Sequence, residues 1–218
     1  DALAAALKGT ATMAAHSVAP EQFGTNRTIN EAVLNRVFGV FFNQNQNDIF
    51  ADKEVRRALD AALDKNALVS TLIGGYGSAI AGPLPPESVS SPETSTVSAD
   101  DRLASAASIL AKDGWIKGSD GVYTKTVKKS KKRLSFVIAT GNAPELKGAA
   151  LAVTETWKKL GVEVTTQFFE QNDLQQEVIR PRKYDALLFG EVVGRELDLF
   201  AFWDSSQRND PGLNIALY

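Results

Sequence analysis

Between residues 133 and 190 the sequence alternates two periodicities in a fixed order. RLSFVIAT (133–140) reads as a strand. Residues 144–160 carry Leu146, Ala150, Val153, Trp157 and Leu160 at helical spacing, and Gly161 stops the run. VEVTTQFF (162–169) is a second strand, residues 172–179 a second helix and YDALLFG (184–190) a third strand. Strand–helix–strand–helix–strand implies parallel pairing with right-handed crossovers, because each helix carries the chain back to the same end of the sheet. The three strands are therefore expected side by side in one sheet, and the fold class is α/β.

The rest of the chain is read more locally. Residues 2–8 and 19–23 suggest short helices, and residues 10–16 a strand. Residues 33–43 read as a largely buried strand. Asp52 is placed to cap an amphipathic helix with Val55, Ala58, Leu59, Ala62 and Leu63 on one face. Asp64 suits the start of another, which Gly74 and Gly75 end. Residues 76–97 form a long loop punctuated by Pro83, Pro85, Pro86 and Pro92. Ser98 with Asp101 is a capping pair for a helix that Gly114 ends. A strand is expected at 122–126 and a last helix at 198–203. The opening ALAAALKG resembles the middle of a helix and the closing GLNIALY is apolar. Both ends are read as cuts in a longer protein.

Composition excludes several kinds of chemistry. With no cysteine there is no thiol catalysis, disulfide or cysteine metal site, and the one histidine, His16, cannot make a two-histidine mechanism. His16 reads as structural. No G-x-S-x-G elbow accompanies it. Twenty-four basic against 26 acidic residues argue against nucleic-acid binding driven by bulk charge. No apolar run approaches the roughly 18 residues of a membrane helix. Gly74-Gly75-Tyr76-Gly77 follows a helix and lacks a Gly-Lys-Ser/Thr, so it is a helix stop rather than a phosphate loop. The basic run Lys125 to Arg133 reads as a solvated hairpin end. Asn26-Arg27-Thr28 spells a glycosylation sequon, which chance also produces. No metal or cofactor is expected.

The stretch 189–214, FGEVVGRELDLFAFWDSSQRNDPGLN, follows the last strand of the parallel unit. Open α/β sheets bind ligands beyond the carboxyl ends of their strands. Carboxylates (Glu191, Glu196, Asp198), a cation (Arg195) and aromatics (Phe200, Phe202, Trp203) fall there. The ligand-facing set expected is Phe189, Glu191, Arg195, Asp198 and Trp203, with Asn43 near a hinge.

Several blocks, in order, resemble family 5 extracellular solute-binding proteins, the oligopeptide, dipeptide and nickel receptors of ABC importers. They are FFNQNQN with FADKEVRRALDAALDKNALV, GGYGSAIAGPLPP, ASILAKDGW, LSFVIAT, ETWKKLGVEVT, and ELDLFAFWDSSQ with GLNIALY. The resemblance covers residues 30–218, with a weaker fit before them. It implies a type II periplasmic-binding-protein-like lobe with a βαβαβ parallel core, truncated from a two-lobed receptor. Residues 1–36 would end the first lobe and approach the hinge, and 37–218 would form most of the second lobe. It also implies a peptide or other small solute as ligand, ABC permease subunits as partners, and a periplasmic or extracellular, membrane-peripheral location. Peptide receptors of the family carry an aspartate before the DPD segment that pairs with the peptide amino terminus. Val193 stands at that position and Leu197 replaces the proline. Either Glu191 substitutes for the aspartate or the ligand is not a free-amine peptide. The reading is a binding module, not an enzyme. The alternatives are an α/β enzyme using Glu191 and Asp198 as an acid/base pair, or a non-transport interaction domain on the same fold.

Overall fold

A computed structural model describes residues 36–73, 77–82, 97–192 and 199–217. The expected helices at 2–8 and 19–23, the strand at 10–16, His16 and most of the 76–97 loop lie outside the described residues. The first described strand, β1 (Arg36–Phe42), has Val37 and Phe41 buried and Phe38 exposed. It is an edge strand, and so is less buried than the apolar run at 33–43 predicts.

Side-chain caps start the helices where the sequence predicts them. The Asp52 carboxylate accepts the Glu54 amide at 3.0 Å and begins α1 (Lys53–Ala61), whose Val55, Ala58 and Leu59 are buried. Asp64 accepts from the Ala67 amide at 3.0 Å in the first turn of α2 (Lys65–Ile73). Ser98 Oγ accepts from the Asp101 amide at 3.1 Å and donates to the Asp101 carboxylate at 2.7 Å, opening α3 (Ala99–Lys112).

A small antiparallel sheet follows, of β2 (Ile116–Lys117), β3 (Tyr123–Val127) and β4 (Ser130–Arg133). Its tip is a turn in which Lys128 and Lys129 both have positive φ, 48° and 72°. The basic run therefore divides. Lys128, Lys129 and Lys131 are exposed, as a solvated hairpin end requires. Lys125 instead pairs with Asp52 at 2.9 Å and with Asp113, Lys132 pairs with Asp48, and Arg133 bridges Asp120 and Glu163. Those pairs tie the hairpin to the helix caps and to the main sheet.

The main sheet has the order β1-β7-β5-β6. β5 (Ser135–Gly141) runs parallel to both β6 (Glu163–Phe169) and β7 (Ala186–Val192), as expected, while β1 is antiparallel to β7. The run 133–140 is not one strand. Arg133 ends β4, Leu134 donates its amide to Tyr123 O at 2.8 Å, and Ser135 begins β5.

The first crossover is α4 (Pro144–Leu160), ended by Gly161 at φ 115°. A side chain at Gly161 would place its Cβ 2.7 Å from the Gly121 carbonyl oxygen, so glycine is needed for both shape and room. The second crossover begins as α5 (Gln171–Asp173) and widens into a π-helical turn, Leu174–Ile179. The wider turn lets Leu174, Val178 and Ile179 all reach the sheet.

Alternation along the strands gives the sheet two buried faces. Phe136, Ile138, Ala186 and Leu188 pack under α1, α3 and α4. Phe41, Ala139 and Leu187 pack under the π turn, with Tyr184 and Ile215. At the centre of the first face lie four rings. Phe42 stacks on Phe50 at 4.5 Å between centroids, Phe50 meets Phe136 at 4.9 Å, and Phe136 meets Trp157 at 5.5 Å. Trp157 is buried, and its Nε1–H donates to Leu59 O at 2.9 Å. Trp157→Phe removes that donor and leaves unfilled volume, so it should lower stability by about 2–4 kcal/mol. Urea unfolding checks this, and a loss below about 1 kcal/mol would show that the contact is not central.

Candidate functional site

Parallel strands end together. Gly141, Phe169 and Val192 close β5, β6 and β7 on one edge, and β1, being antiparallel, begins there at Arg36. The Asn142 amide donates to Phe169 O at 3.0 Å and its side chain bonds the Glu170 carboxylate, which ties two of the strand ends. This edge is where an α/β sheet opens toward a ligand.

Phe189 and Glu191 stand on β7, on the same face as Leu187. Phe189 and Trp203 both pack, half-buried, against the second core; Trp203 ends α6 (Leu199–Trp203). Glu191 is only 7% exposed. Among the described residues no hydrogen bond or ion pair reaches its carboxylate. Burial pushes that carboxyl up to about 7, against a downward pull from the Arg182 charge. Arg195 and Asp198 lie outside the described residues.

Asn43 stands apart from this group. It follows Phe42, which pairs with Ala186 at the start of β7. That is the opposite edge of the sheet, on the order of 20 Å from Glu191 at the usual strand rise. Its side chain is spent within the fold. Nδ2 donates to Arg182 O at 2.9 Å, and Oδ1 accepts the amides of Asn45 and Gln46 at 3.0 and 3.1 Å. The strand direction explains the placement: an antiparallel β1 carries its last residue away from the edge where β5, β6 and β7 end.

The structure adds residues that the sequence reading missed. Phe38, 54% exposed, lies across Gly190, where a Cβ would stand 2.5 Å from the ring. The Arg36 guanidinium is 5.8 Å from the Phe38 centroid, and Lys147 Nζ lies 5.7 Å from that of Phe168. Phe38 sits in an apolar run that looks like core, and only its pairing with Gly190 brings it to this edge. Arg182 was also missed. Its guanidinium donates to the carbonyls of Ile179, Arg208 and Gly212 at 2.6, 3.1 and 2.7 Å. Tyr184 Oη donates to Ile215 O at 2.6 Å. Together these two side chains hold the chain after α6 on the sheet.

A family model, bacterial extracellular solute-binding proteins, family 5, middle region, matches residues 1–210. The chain belongs to this family. Among family 5 relatives, the oligopeptide-binding protein AppA of Bacillus subtilis is 31% identical over 202 residues, covering 91% of this chain and 36% of AppA. Protein XP55 of Streptomyces lividans is 33% identical over 175 residues, 78% of this chain and 30% of XP55. The chain thus spans about a third of these relatives. The structure of AppA in complex with a nonapeptide superposes with a TM-score of 0.71 at 29% identity, covering 86% of this chain and 37% of AppA. NikZ of Campylobacter jejuni in complex with Ni(L-His) shares the fold, with a TM-score of 0.64 at 22% identity over 85% of this chain and 36% of NikZ. The α/β class read from the alternating pattern, and the type II periplasmic-binding-protein-like lobe implied by the resemblance, are those of the family 5 structures. Among the described residues, no group of three or more His, Asp or Glu is placed to hold a metal, and no helix is long and apolar enough to cross a membrane.

The candidate edge has a pH signature of its own. Glu191 holds its proton more tightly folded, near 7, than unfolded, near the usual 4.5. Its contribution is complete below about 4.5 and is lost as pH rises through about 7. Stability should fall across that window by on the order of 2 kcal/mol, and Glu191→Gln should flatten this slope. Urea midpoints at pH 5 and pH 8 measure it; equal slopes in both proteins would mean that Glu191 titrates as an ordinary carboxyl.

Proposed function

We propose that this chain is most of the second lobe of an exported solute receptor that delivers peptides or related small solutes to an ABC permease. Residues 1–36 would lead from the first lobe and 37–218 would form the second. Ligand would be enclosed between lobes by hinge closure, and the closed form would dock on the membrane permease. The protein would act outside the cytoplasm, peripheral to the membrane, in the periplasm or at the cell surface, where a lipid anchor is compatible with the role. The observation that carries this reading is the family match along residues 1–210. A peptide ligand is favoured because AppA, the relative at 31% identity, is named for oligopeptide binding. Binding without catalysis fits a sequence that has no cysteine and one histidine.

On this reading the ligand wall of the lobe is Phe189, Glu191 and Trp203, joined by Arg195 and Asp198 from the segment between β7 and α6. Phe189 and Trp203 supply apolar area for ligand side chains. Arg195 would hold a ligand carboxylate with paired hydrogen bonds. Asn43, with its amide spent at the far edge, is left out of the wall. In the receptor containing this chain, calorimetry with a mixed nonapeptide pool should detect binding without turnover. Arg195→Ala should weaken it by about 2–5 kcal/mol if the guanidinium is enclosed in the cleft. A loss below about 1 kcal/mol that vanishes with salt would make Arg195 a rim charge. Turnover of peptide, or no binding of any peptide, would overturn the receptor reading.

A further inference from the structure

We infer that Arg182 is the positioning residue of the aromatic wall: it pins the chain that returns from α6 to the sheet and so sets where Trp203 stands. The inference rests on the reading that this wall faces ligand. The geometry of the pin does not depend on that reading.

Arg182 has φ 56°, a left-handed conformation that a non-glycine residue adopts only when its surroundings impose it. Two backbone bonds and one from a side chain hold it there. The Arg182 amide donates to Ile179 O at 3.1 Å, the Lys183 amide donates to Val178 O at 2.9 Å, and Asn43 Nδ2 donates to the Arg182 carbonyl at 2.9 Å. Asn43, though remote from the ligand edge, thereby reaches the wall through Arg182. The bend sends the side chain over the second face of the sheet, where the guanidinium meets the three carbonyls.

Two of those carbonyls, Arg208 and Gly212, lie on either side of one turn, so a single side chain fixes both of its ends. The turn has little slack. A Cβ at Gly212 would sit 2.2 Å from the Gln207 carbonyl oxygen. From Arg208 back to Trp203 the chain is braced throughout. Asp204 Oδ1 accepts the Ser206 amide at 2.9 Å, the Asp204 amide donates to Phe200 O at 3.1 Å, and Asn214 Nδ2 donates to Asp204 O at 3.1 Å. Displacing the pin therefore displaces the end of α6. The three bonds leave from three different nitrogens, Nε, Nη1 and Nη2; a lysine keeps the charge and three N–H donors, but all on one atom, and cannot span the same acceptors.

The test labels the whole chain with 5-fluorotryptophan and follows ¹⁹F lines for Trp115, Trp157 and Trp203, assigned with W203F. Trp115 and Trp157 are buried on the other face of the sheet and serve as internal controls. In R182K the Trp203 line should shift or broaden, and hydrogen exchange of amides 204–214 should speed up at least about tenfold, with the two control lines unmoved. R182A should do the same or more; if it unfolds, R182K decides. A wild-type Trp203 line and unchanged amide protection in R182K would overturn the inference. So would equal movement of all three lines, which marks a general stability role. In the complete receptor, R182K should raise the Kd for the nonapeptide pool about tenfold, chiefly through faster release; an unchanged Kd would overturn the part of the inference concerned with the ligand wall. If the unmutated receptor binds no peptide, the proposed function fails, while the ligand-free ¹⁹F and exchange results still decide whether Arg182 sets the position of Trp203.

Discussion

The indole of Trp157 joins three parts of the chain that are far apart in sequence. Its ring packs on Phe136 of β5 and lies 6.2 Å from Phe42 of β1, while its nitrogen is satisfied by the Leu59 carbonyl of α1. An indole N–H in an apolar layer needs an acceptor, and the Leu59 carbonyl, in the last turn of α1 where the Leu63 amide turns to Asp60 O instead, needs a donor. The bond therefore fixes both the height and the rotation of α1 over the sheet. Because the crossover helix α4 carries Trp157, the same contact sets where β5 and β6 lie beneath it, and so the level of the edge on which they end.

The small sheet is tied to the rest by charge as well as by the buried Tyr123 ring. Lys125 reaches from the small sheet to the carboxylates that begin α1 and follow α3. Burial pulls Asp52 upward, but the hydrogen-bonded cluster with Asp113 and Lys125 and the Glu54 amide hold it down at about 2. Arg133 joins β4 to β6 through Glu163. The edge on which β5, β6 and β7 end has fewer such ties. It is built from half-buried rings, one enclosed carboxyl and carbonyls gathered by an arginine.

How far the sequence could be read follows from which interactions are local. The parallel unit was legible because each element carries its own periodicity and stop, with Gly161 the clearest. Caps were legible because Asp52, Asp64 and Ser98 act within three residues of themselves. Arg182 was not legible, since nothing near it in sequence reveals carbonyls 26 and 30 residues later. Asn43 shows the same limit in reverse. The sequence sets it near a hinge in the ligand-facing group, but its place follows from the direction of β1, which pairing with a strand some 150 residues away determines. The π turn reads as ordinary helix because Leu174 and Val178 keep the i, i+4 spacing of an α-helix, and only the burial of Ile179, five residues on from Leu174, needs the wider turn.

The hairpin tip carries a consequence for how durability and recognition are divided in this lobe. Two-residue hairpin turns with positive φ at both positions favour Asn-Gly, and here both positions are lysine. The tip belongs to the hairpin that leads into the start of β5, at the end of the sheet opposite the one where β5, β6 and β7 end. Selection for heat tolerance has slack to draw on at Lys128 and Lys129 without touching a residue of the edge where Phe189 and Glu191 stand. Sequence drift at the tip and sequence drift at the edge are therefore free to follow separate clocks.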